Sequence, residues 1–206
     1  MKKICMYLCE AMADWEHGYA LQGLSLQKML PEKKYELLTV SNSKNPVHTA
    51  GRLTIVPDAA LKEIDGNSVS ALLLIGGDAW LKEEQKEALD LAAALVEKNA
   101  VVAAICGATL GLAERGILND REHTSNSPSF LSGLAKNYGG LAHYRHVPAV
   151  CDGNLITAGS AGSLLWARYI IERLALYSPA TVSAWYDYFS TGEPEYFAAL
   201  MKSFER

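Results

Sequence analysis

The chain has 206 residues, half of them hydrophobic and a fifth charged, with a formal net charge of −4 and a pI near 5.7. That size accommodates one globular domain with a sizeable core. The acidic balance excludes the clustered Lys and Arg of nucleic-acid and anionic-membrane binders, so a small organic molecule is the expected partner, with no nucleic acid and no membrane.

The opening residues Met1 to Cys9 carry two lysines and a short apolar run, but Glu10 and Asp14 follow where a signal peptide would continue. They read as a first strand, Lys3 to Cys9. No stretch reaches the 18 or more apolar residues that a membrane helix requires. A helix-like segment runs from Glu16 to Leu30, then strands from Tyr35 to Ser41 and Arg52 to Pro57. Ala71 to Ile75 is a near-continuous apolar run, followed by Gly76-Gly77 and a helix from about Lys82 to Lys98. Val101 to Ile105 leads into the helix-like Gly107 to Arg115, and Asn154 to Thr157 leads through Gly159, Ala161 and Gly162 into a helix ending near Tyr177. In the last segment, 178–206, six aromatic residues (Trp185, Tyr186, Tyr188, Phe189, Tyr196 and Phe197) fall in two short helical stretches around Gly192 and Pro194. Aromatic residues at helical spacing pack into a core or an interface more often than they line a ligand site.

Apolar strands bounded by glycine and alternating with amphipathic helices are the pattern of a mostly parallel sheet covered on both faces. The expectation is a doubly wound, flavodoxin-like α/β domain over 1–177, a three-layer sandwich. A C-terminal helical extension over 178–206 would pack on the same domain or on a partner subunit. In such sheets ligands sit beyond the carboxyl ends of the strands, where Gly76-Gly77, Gly107 and Gly159 to Gly162 fall.

Four cysteines, at 5, 9, 106 and 151, form no C-x-x-C pair and no zinc spacing with the five histidines. Free thiols in a reducing cytosol, with no metal and no cofactor, are the economical reading. Cys106 stands apart. Ala104-Ile105-Cys106-Gly107-Ala108 reads small-x-nucleophile-x-small, the arrangement of a nucleophile elbow, where the chain turns too sharply for large neighbours. The N-terminus of the following helix would favour thiolate over thiol. The N–H groups of Gly107 and Gly77 are candidate oxyanion donors. Cys5 and Cys9 read as small buried hydrophobes, as does Cys151.

This elbow, together with Asp14-Trp15-Glu16, the strand Leu72 to Gly77 and the segment Leu155 to Gly159, resembles the ThiJ/PfpI family of the class I glutamine-amidotransferase-like superfamily, over about residues 2–176. The resemblance implies that Glu16 is the acidic partner of the Cys106 sulfur, its carboxyl stabilised as a neutral donor by a partly buried pocket. The rival reading of Glu16 is an ordinary acid in the first turn of a helix. The resemblance also places Asn126 where relatives carry a pocket histidine or tyrosine. Gly76, Asp78 and His123 are further candidates for the pocket, although strand alternation turns His123 to the face opposite Asn126.

Two departures matter. Protease-like relatives carry a histidine directly after the cysteine, where Gly107 stands, and no His-x-Glu pair occurs in Asn154 to Leu165, which argues against glutamine-dependent ammonia production. His17 could approach the pocket mouth. His143 and His146 read as surface or cross-strand histidines, and His48 as part of a solvated loop.

The expected function is a cysteine-dependent small-molecule hydrolase or lyase-like enzyme, amidase- or peptidase-like, glyoxalase-like or deglycase-like. The alternatives are a non-enzymatic redox or stress sensor acting through oxidation of Cys106, and a binding module. Such proteins commonly assemble as homodimers or larger homo-oligomers, and the aromatic tail offers surface for that.

Overall fold

The computed structural model describes residues 1–205. Strand β1 (Lys2–Tyr7) is followed by helix α1 (Gly18–Ser25), β2 (Tyr35–Ser41), β3 (Val47–His48), β4 (Thr54–Ile55), β5 (Ala59–Ala60) and β6 (Val69–Leu74). Then come α2 (Lys86–Glu97), β7 (Val101–Ile105), α3 (Gly107–Glu114), α4 (Pro128–Leu134), β8 (Ala149–Asp152), β9 (Leu155–Ala158), α5 (Ser163–Arg173), α6 (Pro179–Thr191) and α7 (Pro194–Lys202). Seven strands form one sheet in the order β5-β2-β1-β6-β7-β9-β8, and β3 with β4 forms a separate antiparallel pair. Every pairing in the large sheet is parallel except that of the edge strand β8 with β9. This is the expected doubly wound α/β architecture with C-terminal helices.

The central strands are apolar along their whole length because helices cover both faces. Ala71 to Ile75 and Val102 to Ile105 are all without solvent exposure. Register then aligns the carboxyl ends: Tyr7 pairs with Leu74, Leu74 with Ala104, and Ile105 with Ala158. The turns that leave β1, β6, β7 and β9 therefore open onto one edge of the sheet, where a ligand site forms in such folds.

Several boundaries differ from the sequence reading. α1 begins at Gly18, not Glu16, and Leu26–Met29 tightens into a 3-10 turn. Glu16 thus lies in the loop before the helix and is fully buried, which rules out the ordinary first-turn acid. α4 and the two-residue strands β3 and β5 had no visible pattern, being too short to show a period. His48 belongs to β3 and pairs with Glu10 at 3.3 Å, both side chains exposed.

The segment 178–205 packs on its own chain. Ser178 caps α6, accepting from the Thr181 N–H at 3.2 Å, and Pro179 follows at the first helical position. α6 lies against α5 and α7. It buries Val182 and Trp185, whose indole N–H donates to Gln22 of α1, and Phe189 meets Tyr19 edge to face at 5.5 Å. No described helix is long and apolar enough to cross a membrane.

Candidate active site

Cys106 occupies the turn between β7 and α3 with φ 55° and ψ −123°, a region that costs a residue with a Cβ on the order of 1–3 kcal/mol. Surrounding bonds hold it there. Its N–H donates to the Ala158 carbonyl at 2.9 Å, and its own carbonyl accepts from the Thr109 hydroxyl at 2.6 Å and the Thr109 N–H at 3.1 Å. Thr109 is in turn 2.7 Å from the Ser125 hydroxyl.

The small residues flanking the turn are demanded by close approach. A Cβ on Gly107 would fall 2.1 Å from the Gly77 carbonyl oxygen, and one on Gly76 would fall 2.3 Å from Glu16 Oε2 and 2.7 Å from Cys106 Cβ. The absence of a histidine after the cysteine therefore has a steric reason: any side chain at 107 would displace the β6 turn. Neither the Gly77 nor the Gly107 N–H donates a hydrogen bond among the described residues.

Three groups face the sulfur. Asn126 Nδ2 donates to Cys106 Sγ at 3.2 Å while its Oδ1 accepts from the Ser160 N–H at 2.9 Å, which fixes the amide with its donor toward sulfur. Glu16 Oε2 accepts from the Gly76 N–H at 2.8 Å and Oε1 accepts from the Ser160 hydroxyl at 2.7 Å. Ser160 Oγ accepts in turn from the Trp15 indole N–H at 3.1 Å. An indole nitrogen only donates, so the single Ser160 hydroxyl proton points at Glu16. Ser160 thus holds both neighbours of the thiol. It carried no motif in the sequence, and its only visible signal was its place in the Gly159 to Gly162 turn.

The electrostatics depart from the expected low-pKa thiol. Burial is the largest influence and pushes Cys106 up; the Asn126 amide pulls it down; the charge and hydrogen bond of Glu16 push it up again, and Ser160 pulls it down more weakly. The sum is a thiol above its ordinary range. Cys5 and Cys9 are buried in and just after β1, and burial raises them to about 11 and about 12.

The remaining candidates separate. Gly76 and Asn126 touch the centre. Asp78 is exposed and bonds to none of its residues. His123 does not belong to the pocket: it is fully buried, with Nδ1 2.7 Å from the Arg121 carbonyl and Nε2 2.8 Å from the Tyr138 hydroxyl. It is a satisfied core histidine wedged edge-on between Tyr138 and Tyr144. His17 precedes α1 and is half-buried, and desolvation lowers its pKa. His143 ends a 3-10 turn, and His146 is exposed against Tyr144. No histidine bonds to the sulfur among the described residues. Nor do any three His, Cys, Asp or Glu side chains there converge as a metal-binding group.

The chain is similar to known proteins. The family model described as DJ-1/PfpI matches residues 2–173. The Bacillus subtilis protein named uncharacterized protease YoaZ is 35% identical over all of this chain and 99% of its own. The Thermococcus kodakarensis protein named deglycase TK1284 is 25% identical over 84% of this chain and 99% of its own. A crystal structure of a thiJ/pfpI family protein from Bacillus anthracis superposes with a TM-score of 0.91 at 34% identity, covering 98% of this chain and 96% of that one. With a matching family model across most of its length and a relative of this identity over the whole of it, the chain belongs to the DJ-1/PfpI family.

Proposed function

We propose that the protein is a cysteine-dependent enzyme acting on small carbonyl compounds, with Cys106 as nucleophile and Glu16 as its proton acceptor. The observation that carries this reading is the placement of a strained, half-buried thiol between a buried carboxylate and a fixed amide donor. A raised thiol keeps its proton until it attacks. As sulfur bonds to the carbonyl carbon, the proton passes to Glu16 and the carbonyl electron pair moves to oxygen, where the Gly77 and Gly107 N–H groups would receive it. Glu16 then returns the proton to the oxyanion. No cofactor takes part in this scheme.

Glyoxalase-like conversion of a 2-oxoaldehyde, which expels no amine, suits this centre better than peptide cleavage or release of an amine from a glycation adduct. With Gly107 held against the Gly77 carbonyl, no imidazole adjoins the thiol to protonate an amine leaving group. Turnover of methylglyoxal, of a glycated amino acid and of a simple amide, each with Cys106→Ser beside the parent, tests the proposal. Aldehyde or adduct turnover lost in Cys106→Ser supports it. Absence of turnover, with stoichiometric oxidation of Cys106 by mild peroxide, would assign the thiol to sensing.

A further inference from the structure

An open cleft of about 450 Å³, lined by Trp15, Gly18, Tyr19, Gln22, Ser163 and Phe189, is joined to the thiol centre through the Trp15 indole, which bonds Ser160. Its size falls in the range of small-molecule sites, and it has aromatic walls with no formal charge. Trp15 is 60% exposed, whereas the chain's other tryptophans are buried. An exposed indole is ordinarily mobile, but this one is fixed by its N–H bond to Ser160 Oγ at 3.1 Å, the same oxygen that donates to Glu16 at 2.7 Å. Gly18 opens α1 on the cleft floor, and a Cβ built on it meets nothing within 4 Å. Phe189 comes from α6 and meets Tyr19 at 5.5 Å, so the C-terminal helices complete the wall. The side-chain Oε1 of Gln22 accepts from the Trp185 indole N–H, which leaves the side-chain Nε2 hydrogens as neutral donors.

We propose that this cleft receives an uncharged aromatic substituent of the molecule on which Cys106 acts, stacked against Trp15. The proposal rests on the thiol reading above and adds a substrate class to it. Continuity with the centre favours a substrate group over another occupant. Trp15 adjoins Glu16 in sequence and bonds Ser160, and Ser163 stands one turn after Ser160, so the cleft is one hydrogen bond away from the residue that holds both neighbours of the thiol. Planar rings prefer such offset or edge-on aromatic surroundings, and the lack of charge disfavours an ionic group.

The test compares N-benzyl-2-iodoacetamide with iodoacetamide as alkylating agents of Cys106, each rate divided by that for glutathione. The expected result is saturable labelling by the benzyl reagent and a preference of about tenfold, a factor that burial of a phenyl ring readily supplies. Gly18→Leu, which fills the cleft, should abolish that preference. Gly133→Leu, at an open helix position remote from the cleft, should retain it. In Cys106→Ser, N-benzylacetamide should shift the Trp15 indole N–H resonance. No benzyl preference, or one that survives Gly18→Leu, overturns the cleft assignment even where Cys106 is reactive. Cys106 labelling no faster than Cys9, with the Trp15 resonance still moved by N-benzylacetamide, would overturn the thiol reading and support the cleft as a binding site. An oligomer that Gly18→Leu converts to monomer, without benzyl preference in the parent, would assign the cleft to a second copy of the chain and overturn the proposal.

Discussion

Asn126 and Glu16 act on the same sulfur with opposite sign. The Asn126 amide donates at 3.2 Å and favours thiolate, whereas the carboxylate of Glu16 favours thiol. Hydrogen bonds to a charged group contribute roughly 1.5–3 kcal/mol, which is about one to two pH units. Asn126→Ala should therefore raise the midpoint of Cys106 alkylation by about one unit, measured as iodoacetamide labelling rate against pH; a fall would place the amide elsewhere. The two residues differed in legibility. Glu16 was reached through its match to a family position, and its loop placement removes the first-turn reading that α-helical periodicity alone would have allowed. Ser160 was missed because a serine in a glycine-rich turn has no pattern, and its role arises only from bonds to residues 144 and 34 positions away. His123, a candidate for the pocket that strand alternation turns to the opposite face, lies outside it. Its burial and its two bonded nitrogens decide the matter.

At the scale of the element, the β7–α3 elbow stores strain. Cys106 sits at φ 55°, which glycine adopts freely and other residues do not. Two variants that both lose the thiol separate strain from chemistry: Cys106→Gly should be more stable than Cys106→Ser by about 1 kcal/mol in urea unfolding. Equal stabilities would mean that the turn relaxes in solution. The elbow was legible because its small-x-Cys-x-small pattern reports a steric requirement, the same one seen in the 2.1 Å approach of a Gly107 Cβ to the Gly77 carbonyl. α6 offers a second element-scale test. Burial of Trp185 and Val182 from this helix, at roughly 25 cal/mol per Å² and 150–250 Å² for the tryptophan, contributes on the order of several kcal/mol. A chain cut after Tyr177 should bind a hydrophobic dye and melt well below the parent. A cooperative melt at the parent's temperature would contradict the packing of this helix into the common core.

Across the whole molecule, the alternation of apolar strands and helices was legible because parallel strands buried on both faces carry no polar side. The short strands β3 and β5 were not legible, because two residues cannot show a period. The same burial has a pH consequence. Cys5 and Cys9 titrate near 11 and 12 in the folded chain against an ordinary value of 9.0. The folded state keeps these protons after the unfolded chain has lost them. Their contribution to stability is therefore fully present below pH 9 and is lost as pH rises through 11 to 12, by about 1.4 kcal/mol per unit for each thiol. Urea midpoints should fall across that window, and Cys5→Ala with Cys9→Ala should flatten the fall.

The central claim is that a buried Glu16 carboxylate governs the Cys106 thiol. The most direct test is the pH dependence of Cys106 alkylation in the parent chain and in Glu16→Gln. Glutamine keeps the shape but removes the charge that pushes the thiol up, so the midpoint should lie above that of an ordinary cysteine in the parent and fall in the variant. A midpoint that stays fixed, or rises, when Glu16 loses its charge would contradict the account.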